Sequence, residues 1–273
     1  MKFNFISTFV HIMLLNSICH AHVPFLKPNQ FTVLHNRLQI ESSFTEFPFQ
    51  ADFTMSSPCF SLINANGKQT TLVPTAKTCA AEYLEPKISA HGTYRINAAV
   101  RKGPKYNALE TADGKLYFAD DIKKMTGKKT KMQYFSGADV YITHGRADYK
   151  AQPLNKDLEI IPLTSPNEID VHDQASFQIF RDGKPVPQAR VIVVYDNEHF
   201  IKERIEDLYD VENVRGSNIH ADSEGKFTFI PKKAGLVLLF VTVHEKINDA
   251  LWESHNTSLT LEINLHGAPH HAH

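Results

Sequence analysis

Period-two alternation governs this chain. Near its end Leu259, Leu261, Ile263 and Leu265 are apolar, while Thr260, Glu262, Asn264 and His266 between them are polar. Successive side chains of an extended strand point to opposite faces, so such a run buries one face and solvates the other. Runs with strand character recur at residues 31–40, 51–63, 93–100, 132–143, 159–162, 175–181, 190–195, 226–231, 236–244 and 258–265. Between them lie Asn66-Gly67, Asp113-Gly114, Asp182-Gly183 and Glu224-Gly225, where glycine supplies the positive φ that tight hairpins need. Short strands with frequent turns predict an all-β chain built as β-sandwich, and 18 Phe and 9 Tyr beside one Trp suit strands as well. One segment departs from the pattern: Ile201, Ile205, Leu208 and Tyr209 fall at helical spacing, which predicts a short amphipathic helix or a long loop over residues 198–209. His199 and Glu203 would share a face there, as two metal ligands or, more commonly, as part of an exposed charged helix.

Charge excludes one class of function early. With 29 Lys+Arg against 30 Asp+Glu the chain is nearly neutral, so it has no broad attraction for nucleic acid or anionic lipid. The basic cluster Lys123, Lys124, Lys128, Lys129 and Lys131 reads as a solvated loop. Residues 1–21 have the form of a secretory signal peptide: Lys2, an apolar stretch from Phe5 to Leu15, then small and polar residues ending at Ala21. That stretch is shorter than the ~20 residues a membrane span needs, so a soluble, exported, periplasmic protein is expected. The polar stretch around residue 152 marks a division into an N-terminal sandwich (residues 22–152) and a C-terminal one (residues 153–265), each immunoglobulin-like or transthyretin-like, with a His-rich tail at residues 266–273. Once the leader is removed, Cys59 and Cys79 are left as a pair in an oxidising compartment, where a disulfide is the default.

The chain lacks a phosphate-binding glycine loop, His-Glu-x-x-His, Gly-x-Ser-x-Gly and Cys-x-x-Cys, which points away from an enzyme. It does carry 15 His, and neutral imidazole is the commonest metal-ligating side chain. Cleavage after Ala21 would leave His22 first, with its amine and ring nitrogen able to chelate one ion together; a cut one or two residues earlier would favour square-planar Cu(II) or Ni(II). His266, His270, His271 and His273 crowd the C-terminus like a flexible metal-collecting tail. His244 ends an apolar strand and His255 follows Trp252 in a polar stretch with Glu253; these two complete the candidate ligand set. His91 and His144 each precede a turn glycine.

The run Leu158-Glu159-Ile160-Ile161-Pro162, the turn Asp182-Gly183-Lys184-Pro185, the pair Gly225-x-Phe227, Ala234-Gly235 and the start His22-Val23-Pro24-Phe25 together resemble a family of bacterial periplasmic proteins. The family is described as a domain of unknown function and in part as accessory components of nickel or cobalt uptake. The resemblance implies two β-sandwich modules and, for some members, divalent-metal binding near a transporter or a TonB-dependent receptor. Of the possible ligands only His22 carries over by position; His91 and His144 stand where relatives tend to have a small residue. The expected function is a non-catalytic protein that binds Ni, Co, Zn or Cu and supports uptake or homeostasis. The alternative is an adaptor module that holds a receptor or transporter subunit by strand addition; a copper-dependent enzyme ranks behind both.

Overall fold

The computed structural model describes residues 22–196, 198 and 218–265. The leader, the tail with His266, His270, His271 and His273, and nearly all of the segment expected to form a helix lie outside the described residues. In chain order the first half contributes β1 (Val23–Pro28), β2 (Ile40–Thr45), β3 (Phe53–Thr54), β4 (Phe60–Asn64), β5 (Gln69–Leu72), β6 (Ala76–Lys77), β7 (Glu82–Leu84), β8 (Gly92–Glu110), β9 (Leu116–Phe118) and β10 (Lys128–His144). The second half contributes β11 (Leu158–Pro162), β12 (Ala175–Arg181), β13 (Lys184–Pro185), β14 (Arg190–Tyr195), β15 (Ile219–His220), β16 (Lys226–Phe229), β17 (Gly235–Asn248) and β18 (Leu251–Ile263).

These strands form three sheets. A nine-stranded sheet runs β15-β14-β17-β18-β10-β8-β4-β5, with β9 on β8. A five-stranded sheet runs β1-β2-β7-β6 with β3 on β2, and a four-stranded sheet runs β11-β12-β13 with β16 on β12. The large sheet crosses from one half of the chain to the other where β10 pairs with β18 in parallel, from Lys131 opposite Leu251 to Val140 opposite Thr260. Every other pairing between named strands that the sheets use is antiparallel.

Alternation assigns the layers. Ile96, Ala98, Ala138, Val140 and Ile142 turn to one face of the large sheet and pack on Leu26, Ile40, Phe44 and Leu84 of the five-stranded sheet. On the opposite face Val191, Val193, Leu239, Val241, Leu259 and Leu261 pack on Ile160, Phe177, Ile179 and Phe227 of the four-stranded sheet. A third cluster covers the remaining side of β14 and β17: Ile192, Val194, Leu238 and Phe240 meet Val23 and Phe25 of β1. Strands buried on both faces read as continuous apolar runs, which is why residues 190–195 and 236–241 lack clean alternation. Ser258, on the same side, donates its hydroxyl to the Pro24 carbonyl at 2.5 Å and so fixes β1 across the sheet.

One expected strand is redrawn and one unexpected strand is added. Residues 31–38 are largely irregular; Phe31, Val33 and Leu38 are apolar because they plug the first core from a loop, with Val33 N–H donating to the Thr143 carbonyl. Residues 23–28 form β1 despite Pro24 and Pro28, because β1 is an edge strand where absent N–H groups leave no ladder bond unmade. Lys128, Lys129 and Lys131 belong to β10 rather than to a loop.

The expected Cys59–Cys79 disulfide is absent, and both cysteines are free. Cys59 immediately precedes β4 of the nine-stranded sheet, whereas Cys79 lies in the turn between β6 and β7 of the five-stranded sheet. The Cys59 thiol lies 3.7 Å from the Phe60 carbonyl and the Ser61 hydroxyl, while the Cys79 carbonyl accepts from Thr54 N–H, so each cysteine is engaged within its own neighbourhood. The double variant Cys59→Ser/Cys79→Ser is therefore expected to unfold in urea within about 0.5 kcal/mol of the parent; a loss of roughly 2–5 kcal/mol would instead reveal a bridge.

Where β8, β10 and β11 meet, Arg95 is buried with two carboxylates. Its Nε and Nη2 donate to Asp139 at 2.7 and 2.8 Å, and its Nη1 lies 2.9 Å from Glu159. Glu159 also accepts the N–H groups of Leu154 and Asn155 at 2.9 and 2.8 Å, which ties the connection between the two halves to the large sheet. Burial opposes the Arg95 charge, but Asp139, Tyr141 and Glu159 more than offset it and hold the guanidinium protonated well above its ordinary range. Arg95→Ala would strand two buried carboxylates, an expected cost of about 3–5 kcal/mol in urea unfolding.

Candidate functional site

The four-stranded sheet covers only part of its face of the large sheet. Beyond its edge β10, β17 and β18 continue, and on that face they carry the apolar Phe135 and Val243 together with a group of polar side chains. On β18, Glu253 and His255 are two residues apart and so point the same way. Register places Glu245 of β17 opposite Glu253, and Phe135 of β10 opposite His255. Glu245, Glu253 and His255 each bring a ligand atom within 4.8 Å of the other two. The His255 ring stacks on Phe135 with centroids 4.9 Å apart and planes at 14°, which fixes the imidazole's plane.

A cation from the four-stranded sheet already enters this cluster. Arg181 ends β12, just before the turn at Asp182 (φ 50°) and Gly183 (φ 76°); two successive positive φ values are what a type I′ hairpin requires. Arg181 Nη2 lies 2.5 Å from Glu245 Oε2 and 3.0 Å from His255 Nε2, while His255 Nε2 is 3.2 Å from Glu253 Oε2. These contacts compete. Accepting from Arg181 requires a bare Nε2, whereas donating to Glu253 requires a protonated one. A neutral ring with its proton on Nδ1 satisfies Arg181 and leaves two lone-pair atoms of His255 and Glu253 facing each other. A metal ion would be able to engage all three acceptors together, since an imidazole with two carboxylates is a donor set suited to first-row divalent ions.

Burial, followed by the nearby Arg181 charge, lowers the His255 pKa below its ordinary 6.5; Glu253 and Glu245 oppose this without reversing it. Both effects favour the neutral form of the imidazole, which is the form that can ligate.

The other candidates are placed elsewhere. His244 is adjacent to Glu245 in sequence, but it pairs with Ser254 and strand alternation turns it to the opposite face from Glu245 and His255. His22 immediately precedes β1 in the other layer, with its ring edge on Phe53 at 4.6 Å and Nε2 3.5 Å from Asp52. His91 and His144 meet edge to face at 5.1 Å, and His144 Nδ1 lies 3.0 Å from the Ala90 carbonyl, a contact that ties the loop before β8 to the end of β10. Glu245, Glu253 and Arg181 were absent from the sequence-based ligand set. Glu253-x-His255 was detectable as a same-face pair, had residues 251–257 been read as strand; Glu245 and Arg181 join only through pairing and layering.

Beside the cluster on the same face is a cavity of about 220 Å³ between the two halves, lined by Ser61, Asn97, Gly137, Lys156, Asp157 and Thr257 among others. Thr257 continues the row of His255, and Gly137 opposite it leaves the space open.

The electrostatics of the metal-free cluster can be read by NMR. His255 is expected to titrate below 6.5, with Arg181→Met raising its midpoint and Glu253→Gln lowering it further. Because the folded state holds this proton less tightly than the unfolded one, the linked stability is present above pH 6.5 and is lost as pH falls through the folded midpoint.

Among solved structures, the D0-D1 domain of intimin is 10% identical, with 87% of this chain and 97% of that one covered and a TM-score of 0.21. The BSP domain of a biofilm-associated protein is 13% identical over 90% of this chain and 30% of that one, also at 0.21. Likeness at that level carries no argument. No curated protein matches the chain. The family model described as "Domain of unknown function (DUF4198)" matches residues 19–245, a stretch that includes Arg181 and Glu245 and stops short of Glu253 and His255. With most of its length so matched, the chain belongs to the DUF4198 family.

Proposed function

We propose that this chain is an exported, non-catalytic protein that binds a divalent transition ion, nickel, cobalt, zinc or copper, at Glu245, Glu253 and His255, and supports uptake or homeostasis of that ion in the periplasm. The observation that carries the reading is the convergence of one imidazole and two carboxylates, with ligand atoms within 4.8 Å, at an accessible edge of a rigid sheet. Metal–ligand distances of ~2.0–2.2 Å require these atoms to close in, which the exposed Glu245 side chain permits. The leader-like residues 1–21 support export, and the histidines at 266–273 serve as a low-affinity collector that raises the local concentration of the ion. A transporter or a TonB-dependent receptor is the partner with which the ion is exchanged.

Calorimetry and equilibrium dialysis with each metal test this, on chains lacking residues 1–21 and ending at either 265 or 273. The shorter chain is expected to bind one ion at micromolar affinity or tighter, and the longer chain to take up more at lower affinity. His255→Ala should weaken the single site at least about tenfold. Binding no tighter than millimolar, or binding indifferent to His255, would remove the proposal.

A further inference from the structure

Arg181 occupies the place where an ion would have to enter. Its guanidinium contacts Glu245 at 2.5 Å and His255 at 3.0 Å, so the cluster without metal already holds one positive charge. The side chain is not locked there: it is 24% exposed, and no buried carboxylate holds it in the two-pronged manner in which Asp139 holds Arg95. A second acidic seat lies at its base. Asp182 Oδ2 is 4.0 Å from Arg181 Nε, and Asp182 and Asp157 are bound together by backbone, Asp157 N–H donating to Asp182 Oδ1 at 2.9 Å and Asp182 N–H to the Asp157 carbonyl at 2.8 Å. Burial, and then the neighbouring Asp182 charge, raise the Asp157 pKa, while His255, Arg181 and Lys156 oppose the rise, so Arg181 is already within electrostatic reach of this second seat.

From this geometry we infer that Arg181 is a displaceable internal cation that competes with the metal ion for Glu245 and His255, moving toward Asp157 and Asp182 when the ion binds. The inference rests on the metal-binding reading above and adds what sets the affinity of that site. One elementary charge on the protein is exchanged for two on the ion, so Arg181 offsets half of the negative charge of Glu245 and Glu253 beforehand and weakly coordinating ions fail to enter. Arg181 to Glu245 is also a link between the four-stranded sheet and the outer part of β17; exchange releases that link and couples occupancy to the freedom of the β17–β18 hairpin.

The test is calorimetry with ZnCl2 and NiCl2 on the chain from residue 22, each variant first checked for cooperative thermal unfolding. Removing the competitor by Arg181→Met is expected to tighten binding about tenfold, the scale of one nearby charge at a partly exposed site. Arg181→Gln is a second way to remove the charge if methionine disturbs the end of β12. Arg181→Lys keeps a cation and is expected to stay within about threefold of the parent. Asp157→Asn/Asp182→Asn should weaken binding when Arg181 is present and leave it unchanged in the Arg181→Met background, because only then is there no guanidinium to reseat. A parent that binds metal together with an Arg181→Met variant that binds equally or more weakly overturns the inference and leaves the site reading standing. An equal effect of the aspartate pair in both backgrounds also overturns it. Failure of both parent and Arg181→Met to bind below millimolar overturns the site itself and the inference with it.

Discussion

The parallel pairing of β10 with β18 is the contact on which the rest depends. It joins strands that are far apart in sequence, from Lys131 beside Leu251 to Val140 beside Thr260, and so makes one nine-stranded sheet out of two halves that could each have closed a smaller sandwich. A parallel pair needs a long crossover, and here the whole second half of the chain supplies it. Because side chains alternate strictly, this single register decides several neighbours at once. Phe135 stacks on His255, Gly137 opens a space beside Thr257, and Asp139 is carried to the face where Arg95 and Glu159 meet it.

Arginine is used twice on that face, in two environments with different consequences. Arg95 is 4% exposed and held by Asp139 and Glu159, which also accept from Asn97 and from the N–H groups of Leu154 and Asn155. A charge so fully paired is a structural clamp, since removing either side leaves an uncompensated ion in the interior. Arg181 is partly solvated, bound end-on, and shares its histidine partner with a carboxylate that makes an incompatible demand on the same nitrogen. The proposed chemistry follows from this contrast: a satisfied network resists change, whereas a network with one acceptor too many invites a better cation.

What the chain spells out locally was legible. The all-β class followed from alternation and from glycine turns, and the turn at Asp182-Gly183 is present with the positive φ values that its residues favour. Residues 31–38 misled because an apolar loop that plugs a core has the same composition as a strand; β1 was not among the expected strands, and its prolines are accommodated because it lies on an edge, which is a tertiary property. The disulfide failed for a similar reason: parity and compartment say that two cysteines could pair, but only the tertiary structure says whether they meet, and both are free. At the site, His255 was named from sequence while its partners were not. Glu253 shares its strand face by a two-residue spacing, but Glu245 and Arg181 are ten and 74 residues from His255 and reach it only through register and layer packing.

Sequence by itself therefore determined the strands, their turns, the apolar faces and the presence of histidine as a candidate donor, because these follow from short-range periodicity and side-chain chemistry. The tertiary structure alone decided which face of which strand stays open, which histidine acquires carboxylate neighbours, and which arginine becomes a clamp and which a competitor. Those outcomes depend on strand register and sheet stacking, where a one-residue shift would turn every side chain to the other face.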